Sequence, residues 1–155
     1  MMKKNTQSGR SMIEMLAVLA IIGIISIGAI AALNQAMLKY RTSRTFTEIR
    51  AINQNAANLY SYLRQYPAGI ANYEQLCQNG VFPTQCRNVN GETIAYNPFS
   101  GNYEIVFTDN TMTIIAHNIP ADACAELVNQ NWGTYLVEDT HPACSNGTDF
   151  VVTMH

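Results

Sequence analysis

The side chain best placed to carry chemistry is a carboxylate at the edge of a long apolar segment. Glu14 lies four residues after Arg10 and directly precedes the segment. The nineteen residues from Met15 to Leu33 carry no charge and, apart from Ser26, no strongly polar group. At a rise of ~1.5 Å per residue, this segment spans close to the ~30 Å hydrocarbon core of a bilayer. Because a carboxylate is costly in lipid, Glu14 is a functional-site hypothesis.

The residues before Glu14 form a processing motif. A short polar leader ends at Gly9, and residues 9–14 read Gly-Arg-Ser-Met-Ile-Glu. Followed by a long apolar helix, this motif resembles the class III signal sequence of the type IV pilin superfamily. The resemblance implies that a prepilin peptidase cuts after Gly9 and that the new N-terminus at Arg10 is methylated. Two positions depart from the family pattern: Arg10 replaces the common Phe, Met or Leu, and Ala31 stands where a proline is frequent.

The resemblance also implies a role for Glu14 in filament assembly. Glu14 is the fifth residue after the cut, as is the glutamate of that family. In a filament of packed helices, its carboxylate could pair with the N-terminal amine at Arg10 of the adjacent subunit. A mismatched register would leave a charge buried and unpaired, so this pair aligns neighbours. The alternative is a glutamate at the headgroup interface that reaches water, and the Gly9 context favours assembly.

Two other interpretations of the N-terminal segment stay open. Ala29-Ile30-Ala31 offers an A-x-A cleavage site for an ordinary secretory signal, which would release a secreted periplasmic binding module. An uncleaved segment would instead anchor such a module in the membrane. The length of the apolar run and the position of Glu14 favour the pilin-type interpretation. Basic residues flank the run on both sides, so they do not settle its orientation.

The four cysteines all follow the apolar segment, at Cys77, Cys86, Cys124 and Cys144. An even count in a small exported domain indicates disulfides. Three connectivities are possible, and we predict the local pairing, Cys77–Cys86 and Cys124–Cys144. Zinc binding is the weaker alternative, because the chain has no CxxC pair.

Two further groups of residues could do chemistry but have simpler explanations. His117 and Cys124 could form a nucleophile pair, but a strand-end histidine and a disulfide cysteine explain them, and no oxyanion motif is visible. Glu138, Asp139 and His141 could bind a cation, yet three neighbouring polar residues are ordinary in a loop. No Gly-rich phosphate loop occurs. The sequence therefore predicts no enzyme, no metal site and no cofactor.

Charge is distributed unevenly along the chain. Arg41, Arg44 and Arg50 form a basic stretch that could bind lipid headgroups, DNA or an acidic neighbour, although a solvated face explains it more simply. Arg44 and Glu48 have the i, i+4 spacing of a helical ion pair. From residue 51 onward, nine acidic residues face only two arginines. This acidic balance argues against nucleic acid as the main partner.

The pattern predicts one helix from about Ser11 to Gln65, ended by Pro67. Its second half becomes amphipathic, and the alternative is two helices broken near Asn34-Gln35. The predicted apolar face of the second half comprises Phe46, Ile49, Ile52, Ala56, Leu59, Tyr60 and Leu63.

The remaining segment predicts a small sheet with two short helices. The first helix covers residues 73–78, with Cys86 in the loop after Pro83, and the second opens at residues 118–120. A three-stranded antiparallel meander is predicted at residues 93–97, 102–108 and 111–117, with further strands at 134–138 and 148–153. Residues 119–127, with the later Cys144 and final strand, resemble the C-terminal region of type IVb pilins.

Together these features predict an α+β, pilin-like fold. A long N-terminal helix has a protruding apolar half, and its amphipathic half packs on an antiparallel sheet. The predicted organisation is a leader at 1–9, a transmembrane and filament-core segment at 10–33, and a globular head at 34–155. The predicted function is a type IV pilus subunit that passes from the inner membrane to an extracellular helical filament, a homo-oligomer. Its partners are prepilin peptidase and the pilus assembly machinery; a minor pilin or type II secretion pseudopilin is the alternative.

Overall fold

The computed structural model describes residues 12–61, 66–83, 86–108 and 110–155. The helices are α1 (Met12–Tyr60), α2 (Tyr73–Gln78) and α3 (Ala121–Val128), with a short 3-10 helix at Gly133–Tyr135. The strands are β1 (Gly69–Ile70), β2 (Cys86–Val89), β3 (Glu92–Ala95), β4 (Tyr103–Phe107), β5 (Met112–Ala116), β6 (Ala143–Ser145) and β7 (Asp149–Met154). The α+β, pilin-like class predicted from the sequence is confirmed.

Helix α1 runs unbroken through Asn34 and Gln35, so the single-helix prediction is confirmed and the two-helix alternative is wrong. The predicted ends at Ser11 and Gln65 lie outside the described residues. The chain divides into two compact units at Met37/Leu38. From here on, the head means the second of these units, Leu38–His155, rather than the predicted range 34–155.

The head is built on a five-stranded sheet in the order β1-β4-β5-β7-β6, and all of its neighbouring strands are antiparallel. Ile114 on the central strand β5 faces Ile105 on one side and Val152 on the other. Buried and half-buried residues alternate along β4, β5 and β7, which gives the sheet one core face. Three residues of the predicted α1 face, Ile49, Ile52 and Ala56, are fully buried in that core.

The predicted meander is partly wrong. β4 and β5 pair as expected, but β3 pairs with β2 in a separate two-stranded sheet. The predicted 93–97 and 102–108 strands meet only at the antiparallel Tyr96–Asn102 bridge. Cys86 therefore lies in a strand, not in a loop. Asn90 and Gly91 both have positive φ, 54° and 88°, which is the geometry of a two-residue hairpin turn. That dipeptide signals the β2–β3 hairpin. Strand β2 was not predicted because its exposed residues include Arg87 and Asn88 and show no alternation of apolar and polar positions.

The predicted strand at residues 134–138 is also wrong. Its first residues form the 3-10 helix, and only Leu136 makes a bridge, to Met154. The unpredicted strand β6 occupies the same side of β7 at residues 149–151, so the segment meets only the last residues of that strand. The β6–β7 turn again contains an Asn-Gly pair with positive φ, at Asn146 and Gly147.

Candidate functional site

The first unit exposes apolar side chains on every side of α1. Its most apolar 18-residue window has a mean hydropathy of 2.8 and no buried residue, and by length and composition it could cross a membrane. Individual apolar side chains along this unit are more than half exposed, for example Met12 at 84%, Ile13 at 77% and Ile24 at 74%. A helix that is apolar all round is stable when lipid or other helices cover it. This surface is therefore the candidate assembly site.

Glu14 lies in the first turn of α1 and is exposed. Its carboxylate is the only charged group between Met12 and Met37. Gly9 and Arg10, the predicted cleavage and pairing residues, lie outside the described residues. The helix also carries Gly23 and Gly28, and an added Cβ at either would meet nothing within 4 Å. Small residues of this kind let helices approach closely in an apolar environment.

Both predicted disulfides are present in the head. Cys77–Cys86 joins α2 to β2 with an S–S distance of 1.97 Å, and Cys124–Cys144 joins α3 to β6 with an S–S distance of 2.01 Å. Each bridge ties a helix to a strand of only three or four residues. Because short strands pair weakly on their own, covalent links stabilise these peripheral parts of the head.

The comparison with known families agrees with this arrangement. The family described as PilS, PilS N terminal, has a sequence model that matches residues 39–150. The chain belongs to the PilS family. This places it in the type IV pilin superfamily, related to the type IV pilus, as the N-terminal motif predicted. The match begins after the apolar segment, so it supports the assignment independently of Glu14 and Gly9. No curated protein matches the chain.

A second cluster in this PilS-family protein lies around Glu48, a buried carboxylate of α1. Arg44 Nε donates to Glu48 Oε1 over 2.9 Å, which confirms the predicted i, i+4 pair. The Tyr103 hydroxyl on β4 donates to Glu48 Oε2 over 2.8 Å. Burial raises the pKa of Glu48, and burial together with the neighbouring Glu48 raises the pKa of Tyr103 well above its usual value. Sequence reasoning did not identify Tyr103 as the partner of Glu48. The only signal in the sequence was Glu48 itself, a charged residue directly before Ile49 of the predicted apolar helix face.

His117 forms a third cluster in the PilS-family head. Its Nδ1 lies 3.0 Å from Asp149 Oδ1 and its Nε2 lies 3.1 Å from Glu104 Oε2. It therefore links β4 and β7 across the end of β5, rather than pairing with Cys124, whose sulfur is in a disulfide. Within the described part of the chain, no group of three or more His, Cys, Asp or Glu residues could hold a metal ion.

Proposed function

We propose that this PilS-family chain is a structural subunit of a type IV pilus. It would enter the inner membrane through residues 10–33, be cleaved after Gly9, and leave the bilayer as it polymerises through α1 into an extracellular filament. The head would form the filament surface, with its disulfides resisting the outside environment. The role is structural, and we propose no catalytic activity.

The observation that supports this proposal is the apolar surface of α1, which is exposed on every side and carries one carboxylate. A plain anchor needs only the apolar residues, and Glu14 weakens it because a carboxylate opposes burial in lipid. A filament core gives the same carboxylate a partner, the amine of a neighbouring chain. Helix packing in such a core rests on close contact and polar pairing rather than on the hydrophobic effect alone.

The test is to shear surface filaments from cells that express the full chain and to identify their subunits by mass spectrometry and N-terminal sequencing. We expect this chain to be the main component, with Arg10 as its methylated first residue. Trace amounts would indicate the alternative, a minor pilin. A chain that keeps Met1 and stays in the membrane fraction would be an anchored module, and one that begins at Ala32 would be a secreted module. Either result would overturn the proposal.

A further inference from the structure

The head contains a cleft of about 610 Å³ whose lining includes two arginines, Arg44 on α1 and Arg87 on β2. Glu48 balances the charge of Arg44 at 2.9 Å. The guanidinium of Arg87 lies over the Tyr96 ring at 6.0 Å, and within the described residues it has no carboxylate partner. The cleft therefore keeps one net positive charge. The head as a whole has ten acidic against six basic residues, so this cleft is a positive feature on an acidic body.

The walls of the cleft are held in place before any ligand arrives. Asn97 Oδ1 accepts hydrogen bonds from the backbone N–H groups of Phe99 and Gly101, at 2.9 Å and 3.1 Å. Asn97 Nδ2 donates to the carbonyl oxygen of His117 over 2.7 Å. On the opposite side, the Cys77–Cys86 disulfide fixes the start of β2. A preorganised site loses little conformational entropy on binding, and a guanidinium suits a carboxylate because its N–H groups match the two oxygens.

A matching acidic feature lies elsewhere on the head, in the turn Val137–Thr140. The Thr140 N–H and hydroxyl both donate to the Val137 carbonyl, at 3.1 Å and 2.7 Å, and Asp139 has a φ of 65°. The turn therefore presents the exposed side chains of Glu138 and Asp139 on a fixed backbone. Among the described residues, neither carboxylate has an ion-pair partner.

The cleft and the acidic turn lie toward opposite ends of β5. Asn97 of the cleft wall donates a hydrogen bond to the carbonyl oxygen of His117, the residue directly after β5. At the other end, Val137 donates to Thr153, which pairs with Thr113 near the start of β5. The four residue steps from Thr113 to His117 place these positions about 13 Å apart. One head thus carries its basic cleft at one end of the sheet and its acidic turn toward the other.

We propose that the cleft receives the acidic turn of a second copy of this chain, with Glu138 of one copy facing Arg87 of the next. The two partner surfaces are different, so the contact is heterologous and leaves a free cleft and a free turn after each addition. Contacts of this kind extend into open helical filaments unless the rotation closes a ring. The inference rests on the proposed filament function, to which it adds a contact between heads that is separate from the packing of α1.

The test is a charge exchange in the full-length chain, read as sheared filament yield relative to the membrane pool. Arg87→Glu places like charges opposite each other, and we expect it to lower the yield at least about tenfold. Glu138→Arg should do the same, and combining both substitutions should restore the yield to within about threefold of wild type. Glu138 is chosen over Asp139 because an arginine at a φ of 65° would be strained. Arg41→Glu and Glu74→Arg are matched controls outside both surfaces and should assemble normally.

The outcomes separate this inference from the proposed function. A wild-type chain that forms no filaments would contradict both. Normal wild-type filaments together with normal Arg87→Glu filaments would overturn only the head contact, and would leave the cleft to an anion from outside the filament. Loss in both single variants without recovery in the double variant would also overturn it. We expect each variant to fold, because both substituted side chains are exposed. Peptide mapping of the two disulfides in each variant checks that the head has folded.

Discussion

The carboxylate of Glu48 accepts the hydroxyl hydrogen of Tyr103 over 2.8 Å, across 55 residues of sequence. This bond joins the amphipathic part of α1 to β4 inside the head. Glu48 is 5% exposed and Tyr103 is 1% exposed, so the bond is shielded from water. A buried polar atom left without its partner costs its full desolvation free energy, whereas a satisfied hydrogen bond contributes only modestly to stability. The pair therefore helps to fix the position in which α1 packs against the sheet.

Removing the hydroxyl with Tyr103→Phe should lower the free energy of unfolding by about 1–3 kcal/mol, because it leaves Glu48 Oε2 buried without a donor. The measurement is thermal or chemical denaturation of the full-length protein in detergent. The control is the same substitution in a Glu48→Gln background, where no buried charge remains and the cost should be smaller. An equal cost in both backgrounds would show that the two side chains are not coupled.

Stability should also depend on pH through Glu48. Burial holds its pKa above the ordinary value of 4.5 in the folded head. Between 4.5 and the raised value, the folded chain binds more protons than the unfolded chain, so the free energy of unfolding falls as pH rises. Subtracting the values of a Glu48→Gln variant isolates this contribution. The difference, wild type minus variant, should decrease from pH 4.5 upward. An increase with pH would contradict the prediction.

The sequence predicts the parts of this fold that depend on local patterns. Helix α1 continues through Asn34 because the helical period persists and no proline interrupts it before Pro67. The disulfides follow from two close cysteine pairs. Long-range pairing is not encoded locally: β3 has both β2 and β4 as possible partners, and it pairs with β2. Toward β4 the chain makes only the Tyr96–Asn102 bridge, on either side of the turn anchored by Asn97. The Glu48–Tyr103 bond depends on tertiary packing that no local period encodes. Gly9 and Arg10 remain predictions from the motif alone.

Gly101 provides a test of the turn anchored by Asn97. A Cβ at this position would lie 1.9 Å from the carbonyl oxygen of His117, which is backbone and has little freedom to move. Gly101→Ala should therefore lower the free energy of unfolding by roughly 2 kcal/mol through overpacking. Gly28→Ala is the control, since a Cβ there meets nothing within 4 Å. Equal stability of Gly101→Ala and wild type would show that the turn adapts.

Processing should depend on Gly9. The prediction is that Gly9→Leu blocks cleavage almost completely and leaves full-length protein in the membrane, because the resemblance assigns the cut to the bond after this glycine. Mass spectrometry of the membrane fraction gives the ratio of the two forms. Ser8→Ala is the neighbouring control and should mature normally. Maturation of Gly9→Leu at the wild-type rate would remove the pilin-type interpretation of the leader.

A substitution at Glu14 distinguishes the two hypotheses for this chain, a filament subunit and a membrane anchor. Insertion needs only the apolar run, and neutralising the carboxylate should make insertion slightly easier. Assembly needs that carboxylate opposite a neighbouring N-terminal amine, and its loss would leave the amine unpaired in low dielectric at a cost of several kcal/mol. Glu14→Ala should therefore be cleaved and inserted, yet its sheared filament yield should fall at least about tenfold.

Arg10 supplies the matched control for Glu14→Ala. Its guanidinium could compete with the amine for the same carboxylate, so Arg10→Phe removes a competitor without removing the proposed pair. We expect Arg10→Phe to assemble at close to the wild-type yield while Glu14→Ala does not. Equal filament yields from Glu14→Ala and wild type would return Glu14 to the headgroup interface, because a residue that only reaches water there is not needed for packing between subunits.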